Sequence, residues 1–170
     1  VLTVDLLGAV VAHRDGRQLS VPAGKTTELL ARLAIEAQRP VRADTILEDL
    51  WGAPTAGNTL QAKVSQLRNS LADRNVLRAL DGAYLLDIEP DNVDAVRADA
   101  LAVAAERARL EGDPAAALDR ARAGVALFRG DALTVGGAWA TPHRVRLEET
   151  RWALVETLMS ARIDLGAGAE

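Results

Sequence analysis

The chain has 170 residues, 49% of them apolar and 26% charged, with a net charge of −4 and no cysteine. That length holds one large domain or two small ones, and the lack of cysteine excludes disulfides, thiol nucleophiles and Cys-ligated zinc. No apolar run reaches the roughly 18 residues of a membrane span, and no basic start followed by an apolar stretch marks a signal peptide, so a folded, cytoplasmic protein is expected.

Strand signals fill the first 22 residues. Val4, Leu6 and Ala9 to Ala12 are apolar and partly β-branched, Asp15-Gly16 is a hairpin-turn dipeptide, and Leu19 and Val21 alternate with Gln18 and Ser20. Pro22 ends this stretch. From Lys25 to Ala37, Leu29, Leu30, Leu33 and Ala34 recur at helical spacing, and Pro40 stops the helix. A short second helix follows, with Asp44 as its N-cap, Ile46, Leu47, Leu50 and Trp51 as its apolar face, and Gly52 where a C-terminal cap belongs. A turn over Pro54 to Gly57 leads to a third helix, about Asn58 to Leu71, and Val76 to Ile88 reads as a β-hairpin with Asp81-Gly82 at its tip. Two helices joined by a tight turn and closed by a hairpin make a helix-turn-helix with a wing.

Pro90 and Asp91 mark a boundary between residues 1–90 and 91–170. Beyond it the composition is rich in Ala, Leu and Arg, and helices are expected at about 94–111, 115–129 and 142–165. Pro114 and Pro142 suit helix starts, and Gly166 is placed to close the last helix. The first two of these helices resemble one tetratricopeptide repeat unit. An incomplete repeat array would leave apolar surface open near Leu158 to Leu165.

The third helix carries most of the functional signal. Leu60, Val64, Leu67 and Leu71 share one face. The opposite face shows Asn58, Thr59, Ala62, Lys63 and Gln66, with no carboxylate among them, and Arg68 lies toward its edge where it suits a phosphate. Amides, a cation and small residues are what a helix needs to enter the major groove. Residues 1–88 hold ten Lys/Arg and ten Asp/Glu, while residues 89–170 hold ten and fourteen and so carry the whole −4. Within 58–78, Lys63, Arg68, Arg74 and Arg78 face only Asp73, and DNA responds to such a local basic face more than to total charge. The same pattern also suits a solvated polar face. In that case the winged helix is a protein-interaction module of a larger chain with no DNA role of its own, a reading that the neutral first half keeps open. An enzyme has no support, because no nucleophile–base pair or metal cluster is legible.

Other features read more simply. Gly24-Lys25-Thr26 is a helix start, since a phosphate-binding loop needs a further glycine where Leu19 stands. His13 and His143 read as surface histidines, and Glu148-Glu149 as a solvated or partner-facing pair. Trp51 is assigned to the core. Trp139 is assigned to a plug beneath its loop in preference to an interface anchor. Trp152, taken with Val145, Leu154, Val155 and Leu158, is assigned to packing.

Leu2 to Gly8, the helix at Lys25, Leu50-Trp51-Gly52, Asn58-Thr-Leu-Gln61, Val64-Ser-Gln-Leu-Arg68 and Tyr84-Leu-Leu86 together resemble the OmpR-type winged helix of the antibiotic regulatory protein (SARP) family. Asp94 through Leu165 is similar to the start of that family's bacterial transcriptional activation domain, through Gly112-Asp113, Leu127-Phe-Arg-Gly130, Trp139 and Arg146-Leu-Glu-Glu149. The resemblance implies an α+β winged helix-turn-helix followed by an all-α, tetratricopeptide-like domain. It further implies a sequence-specific activator that binds direct repeats in double-stranded DNA, with room for a homo-oligomer there, and recruits RNA polymerase, sigma factor included. By the same resemblance the third helix reads the major groove, and Arg78, in the hairpin, contacts the minor groove or a phosphate. No cofactor and no membrane are expected. The chain departs from the family pattern at Ala83, where Gly usually precedes the wing tyrosine. It departs again at Thr26-Thr27, where Gln-Arg is usual, and at Gln66 and Asn69, where Arg is common.

Overall fold

A computed structural model describes residues 1–52 and 57–167. Strands β1 (Leu2–Asp5), β2 (Val11–Arg14) and β3 (Arg17–Gln18) form an antiparallel sheet in the order β1-β2-β3. Asp15 (φ 50°) and Gly16 (φ 78°) both take the left-handed conformation that a two-residue hairpin turn demands. Helix α1 (Lys25–Ala34) starts after Gly24 and ends three residues short of the expected Ala37. The chain there tightens into turns, with the Glu36 N–H on Leu33 O and the Ala37 N–H on Ala34 O. Gln38, at φ 62°, then sends its N–H to Leu86 O.

Strand β4 (Val41–Arg42) was not expected, and it leads directly into α2 (Ala43–Trp51). Extended Arg42 is therefore the N-cap. Asp44 lies inside the first turn, where its charge still favours the helix N-terminus. Gly52, at φ 73°, ends α2 as anticipated. The turn read at Pro54 to Gly57 lies outside the described residues except for Gly57. Helix α3 (Gly57–Ser70) is followed by β5 (Leu77–Leu80) and β6 (Ala83–Leu86), and the second antiparallel sheet has the order β4-β6-β5.

A 3-10 turn at Pro90–Asn92 leads into α4 (Asp94–Leu110), α5 (Pro114–Val125) and α6 (Ala140–Ala167). Asp113 caps α5 by accepting the Ala116 N–H at 2.9 Å. Helix α5 stops at Val125 because residues 126–128 fold into turns, and α6 runs through Gly166, which does not close it. Ala98, Ala105, Ala108, Ala117, Ala121 and Ala161 are buried between the three helices, and their small side chains allow close approach. The whole is a winged helix-turn-helix followed by a tetratricopeptide-like helical domain.

One hydrophobic core runs through both parts. It takes Leu29, Leu30 and Leu33 from α1, Ile46 and Leu50 from α2, Leu60 and Leu67 from α3, and continues into Val93, Ala98, Leu133 and Leu147. Trp152 does not join it. At about 100° per residue, two positions along a helix lie on opposite sides. Leu154 is fully buried, so Trp152 faces solvent at 70% exposure, in line with exposed Val145 and Met159. Among the described residues no helix is long and apolar enough to cross a membrane, and no three His, Cys, Asp or Glu side chains cluster as metal ligands.

Candidate nucleic-acid interface

Helix α3 divides cleanly. Leu60, Val64, Leu67 and Leu71 are buried, packed toward α1. Asn58, Thr59, Ala62 and Gln66 are exposed and Lys63 is half-buried, so these expected site residues share one solvent face. The face is wider than expected: Gln61, Ser65 and Asn69 are exposed on it too, and helical spacing alone would have found them. The helix contains no carboxylate.

Its orientation is fixed by side chains with several donors. Arg14 of β2 donates from Nε and Nη2 to Leu71 O at 3.2 and 3.0 Å, placing a cation on the C-terminal end of α3. Half-buried Arg68 donates Nε to Leu77 O at 2.9 Å, so it ties α3 to β5. The remainder of its guanidinium, with Ser65, Asn69 and Arg74, lines a shallow depression of about 290 Å³. Gln66 Oε1 accepts from Thr26 Oγ1 at 2.8 Å and from Lys63 Nζ at 3.2 Å.

The hairpin is braced at both ends. Tyr84 of β6 pairs with Val41 of β4 on one side and Ala79 of β5 on the other, and the Ala43 N–H donates to Gly82 O at the tip. Arg78 is exposed and lies 3.2 Å from Asp87. An exposed pair of this kind holds a side chain weakly, and Arg78 remains available to an anion.

The helical half grips the sheet behind this surface. Val93 bridges to Val4 and Ala132 to Leu7. Asp94, almost wholly buried, accepts the N–H groups of Leu6 (2.6 Å) and Leu7 (3.2 Å) and the Arg129 guanidinium (2.8 Å). Burial pushes its carboxyl above the usual carboxylate range, outweighing the two backbone donors. Trp139 reaches across to α1. Its Nε1 donates to buried Glu28 at 3.1 Å, and Arg32 lies 5.6 Å from the ring centroid. Trp139 is thus an anchor between the halves and not a plug under its own loop. Neither histidine is isolated. His13 sits 3.6 Å from Asp5, and His143 meets the edge of Trp139 with its pKa lowered, first by burial and then by Arg32. Lys25 is held 2.7 Å from Glu28 at the start of α1.

Residues 18–82 match the family described as "Transcriptional regulatory protein, C terminal", and residues 93–170 match "Bacterial transcriptional activator domain". The chain is 31% identical to the regulatory protein DnrI of Streptomyces peucetius, over 99% of this chain and 67% of that protein. It is 33% identical to the transcriptional regulator RedD of Streptomyces coelicolor over 98% of this chain and 51% of that one. It is 36% identical to the regulatory protein AfsR of the same species over 99% of this chain but only 17% of AfsR. Among solved structures, Mycobacterium tuberculosis EmbR in complex with a low-affinity phosphopeptide matches with a TM-score of 0.88 at 26% identity, over 97% of this chain and 46% of that chain. With a winged helix in front, a helical half behind and similarity to DnrI along nearly its whole length, the chain belongs to the SARP family of transcription regulators.

Proposed function

We propose that residues 1–90 read double-stranded DNA, with α3 in the major groove and the β5–β6 hairpin at the adjacent minor groove, and that residues 91–170 engage a protein partner. The observation that carries this reading is the solvent face of α3. It offers amides, hydroxyls, a methyl and an ammonium, with no carboxylate, on a helix locked in place from behind. Such a face matches base edges and tolerates the phosphate field. Asn58, Thr59, Ala62, Lys63 and Gln66 contact bases, Arg68 contacts a phosphate, and Arg78 contacts the minor groove or a phosphate. Residues 89–170 carry the excess of four acidic groups, so a phosphate backbone repels them on average. In keeping with the family, their partner is RNA polymerase with its sigma factor, in the cytoplasm, at operators with direct repeats that seat more than one copy.

The test is a mobility shift of the 170-residue chain with pooled genomic DNA at several salt concentrations. Binding should weaken steeply with salt. Lys63→Ala and Gln66→Ala should each cost roughly 1–3 kcal/mol on specific sites, and Arg68→Ala should lower affinity on all sequences alike and flatten the salt dependence. An unchanged shift in the triple variant refutes the reading.

A second reading draws on a different observation. Lys63, Arg68 and Arg78 each have a partner within the protein, which favours a protein-interaction module over a DNA reader. No retention of DNA even at low salt is the outcome that selects it.

A further inference from the structure

The exposed amide of Gln66 is held in one orientation. Thr26 lies wholly buried in the first turn of α1, and its hydroxyl donates to Gln66 Oε1 at 2.8 Å. Lys63, one turn earlier on α3, donates its ammonium to the same atom at 3.2 Å. An ammonium cannot accept a hydrogen bond, so the atom facing it is the amide oxygen and not the nitrogen. A carbonyl oxygen has two lone pairs, and here both are taken. What Gln66 turns outward is its NH2, a pure donor, next to the pure donor of Lys63.

We propose that Thr26 is a positioning residue for base specificity: by occupying the Gln66 oxygen it makes the middle of α3 read the acceptor-only edge of guanine in place of adenine. The inference rests on the DNA-reading role proposed for α3. A glutamine with both ends free pairs with adenine, its oxygen accepting from N6 and its NH2 donating to N7. For Gln66 to do so, its oxygen must leave Thr26, and the buried hydroxyl then loses the partner the fold provides, which is costly. Guanine offers N7 and O6 in the major groove, two acceptors and no donor. The Gln66 NH2 and the Lys63 ammonium supply two donors and lose nothing. Cytosine presents its N4 donors there and is disfavoured by both groups.

The experiment is selection of bound duplexes from a randomised double-stranded pool by the 170-residue protein, sequenced and counted. Thr26→Val, Thr26→Ser and Gln66→Ala run alongside, each with its melting temperature measured. The wild type should enrich guanine at a position whose preference disappears in Gln66→Ala, which assigns that position to Gln66. Thr26→Val keeps the shape but removes the hydroxyl, and should move the guanine-to-adenine ratio there by about tenfold toward adenine. Thr26→Ser restores the hydroxyl and should keep guanine. A merely structural role for Thr26 would lower affinity without changing that ratio. Adenine at the Gln66 position in the wild type, or an unchanged ratio in folded Thr26→Val, overturns the proposal. So does a Gln66→Ala variant with every base preference intact, although DNA reading by α3 would then still stand. If the wild type enriches no sequence, the DNA-reading role falls and this inference falls with it.

Discussion

Removing the Asp94 carboxylate should loosen the seam between the winged helix and the helical half. Asp94 opens α4 and is 3% exposed. In Asp94→Ala the N–H groups of Leu6 and Leu7 stay in the core without an acceptor, and each such group costs about 1–3 kcal/mol. Arg129 loses less. It is half-exposed and keeps Asp5 at 3.1 Å, and pairs of that kind contribute little. The sum is about 2–6 kcal/mol, a large part of the roughly 5–15 kcal/mol that holds a domain together. For a chain of this size that corresponds to a fall of about 5–20 °C in Tm. Urea and thermal unfolding, followed by circular dichroism and by tryptophan fluorescence, measure it. A loss under about 1 kcal/mol would refute the reasoning, because two buried donors cannot be orphaned so cheaply.

The pH dependence gives an independent check. Burial raises the folded pKa of Asp94, Asp5 adds to the rise, and Leu6, Leu7 and Arg129 oppose it. A folded value above the unfolded one means that the contribution of this group is complete below the unfolded pKa and is lost as pH rises through the folded pKa. Asp94→Asn does not titrate. The stability of the wild type relative to Asp94→Asn should therefore grow as pH falls from neutral into the acid range.

Two further predictions concern the helical half. Gly124→Ala should destabilise the chain by about 1–3 kcal/mol despite the better helix propensity of alanine, because the added Cβ would lie 2.6 Å from Leu154 Cδ2; calorimetric melting checks this. The two tryptophans in this half should behave oppositely in the same assay. Trp152→Ala, at an exposed site, should change stability by less than about 0.5 kcal/mol. Trp139→Ala should cost about 2 kcal/mol or more by leaving buried Glu28 and Arg32 without their aromatic partner.

Elements that carry their own local chemistry were legible in the sequence. Asp15-Gly16 had to turn, Gly52 had to cap, and Asp113-Pro114 had to start a helix; each does so. The two faces of α3 were legible for the same reason, since buried leucines at helical spacing fix what must point outward. β4 was not legible. Its two residues have no periodicity, and they are a strand because β6 offers them an edge. Asp94 was equally silent: its partners are backbone N–H groups 87 and 88 residues away, and backbone donors leave no mark on composition. Trp152 is a different kind of miss. Its expected companions Val145 and Leu154 stand on opposite sides of α6, and the helical angle alone would have separated them.

The misplaced expectation of Trp139 has its origin in α1. This ten-residue helix buries three polar side chains, Thr26, Glu28 and Arg32. Buried polar groups need partners, and each of these three finds one on another element, although Arg32 Nη1 is left buried without a hydrogen bond. Thr26 reaches α3 at Gln66, Glu28 reaches the helical half at Trp139, and Arg32 reaches α2 at Asp49, 2.7 Å away. The exposed face of α3 and the helical half are thus built on opposite sides of one short helix. A cut at the compositional boundary near Pro90 would take away Trp139 and Asp94, leaving Glu28 with Lys25 alone and the Leu6 and Leu7 donors without an acceptor. The groups that join the halves therefore include ones that lie well away from the linker. The surface proposed to read DNA is tied through α1 to the helices behind it, so seating α3 in a groove would also set where α4 to α6 stand relative to the DNA.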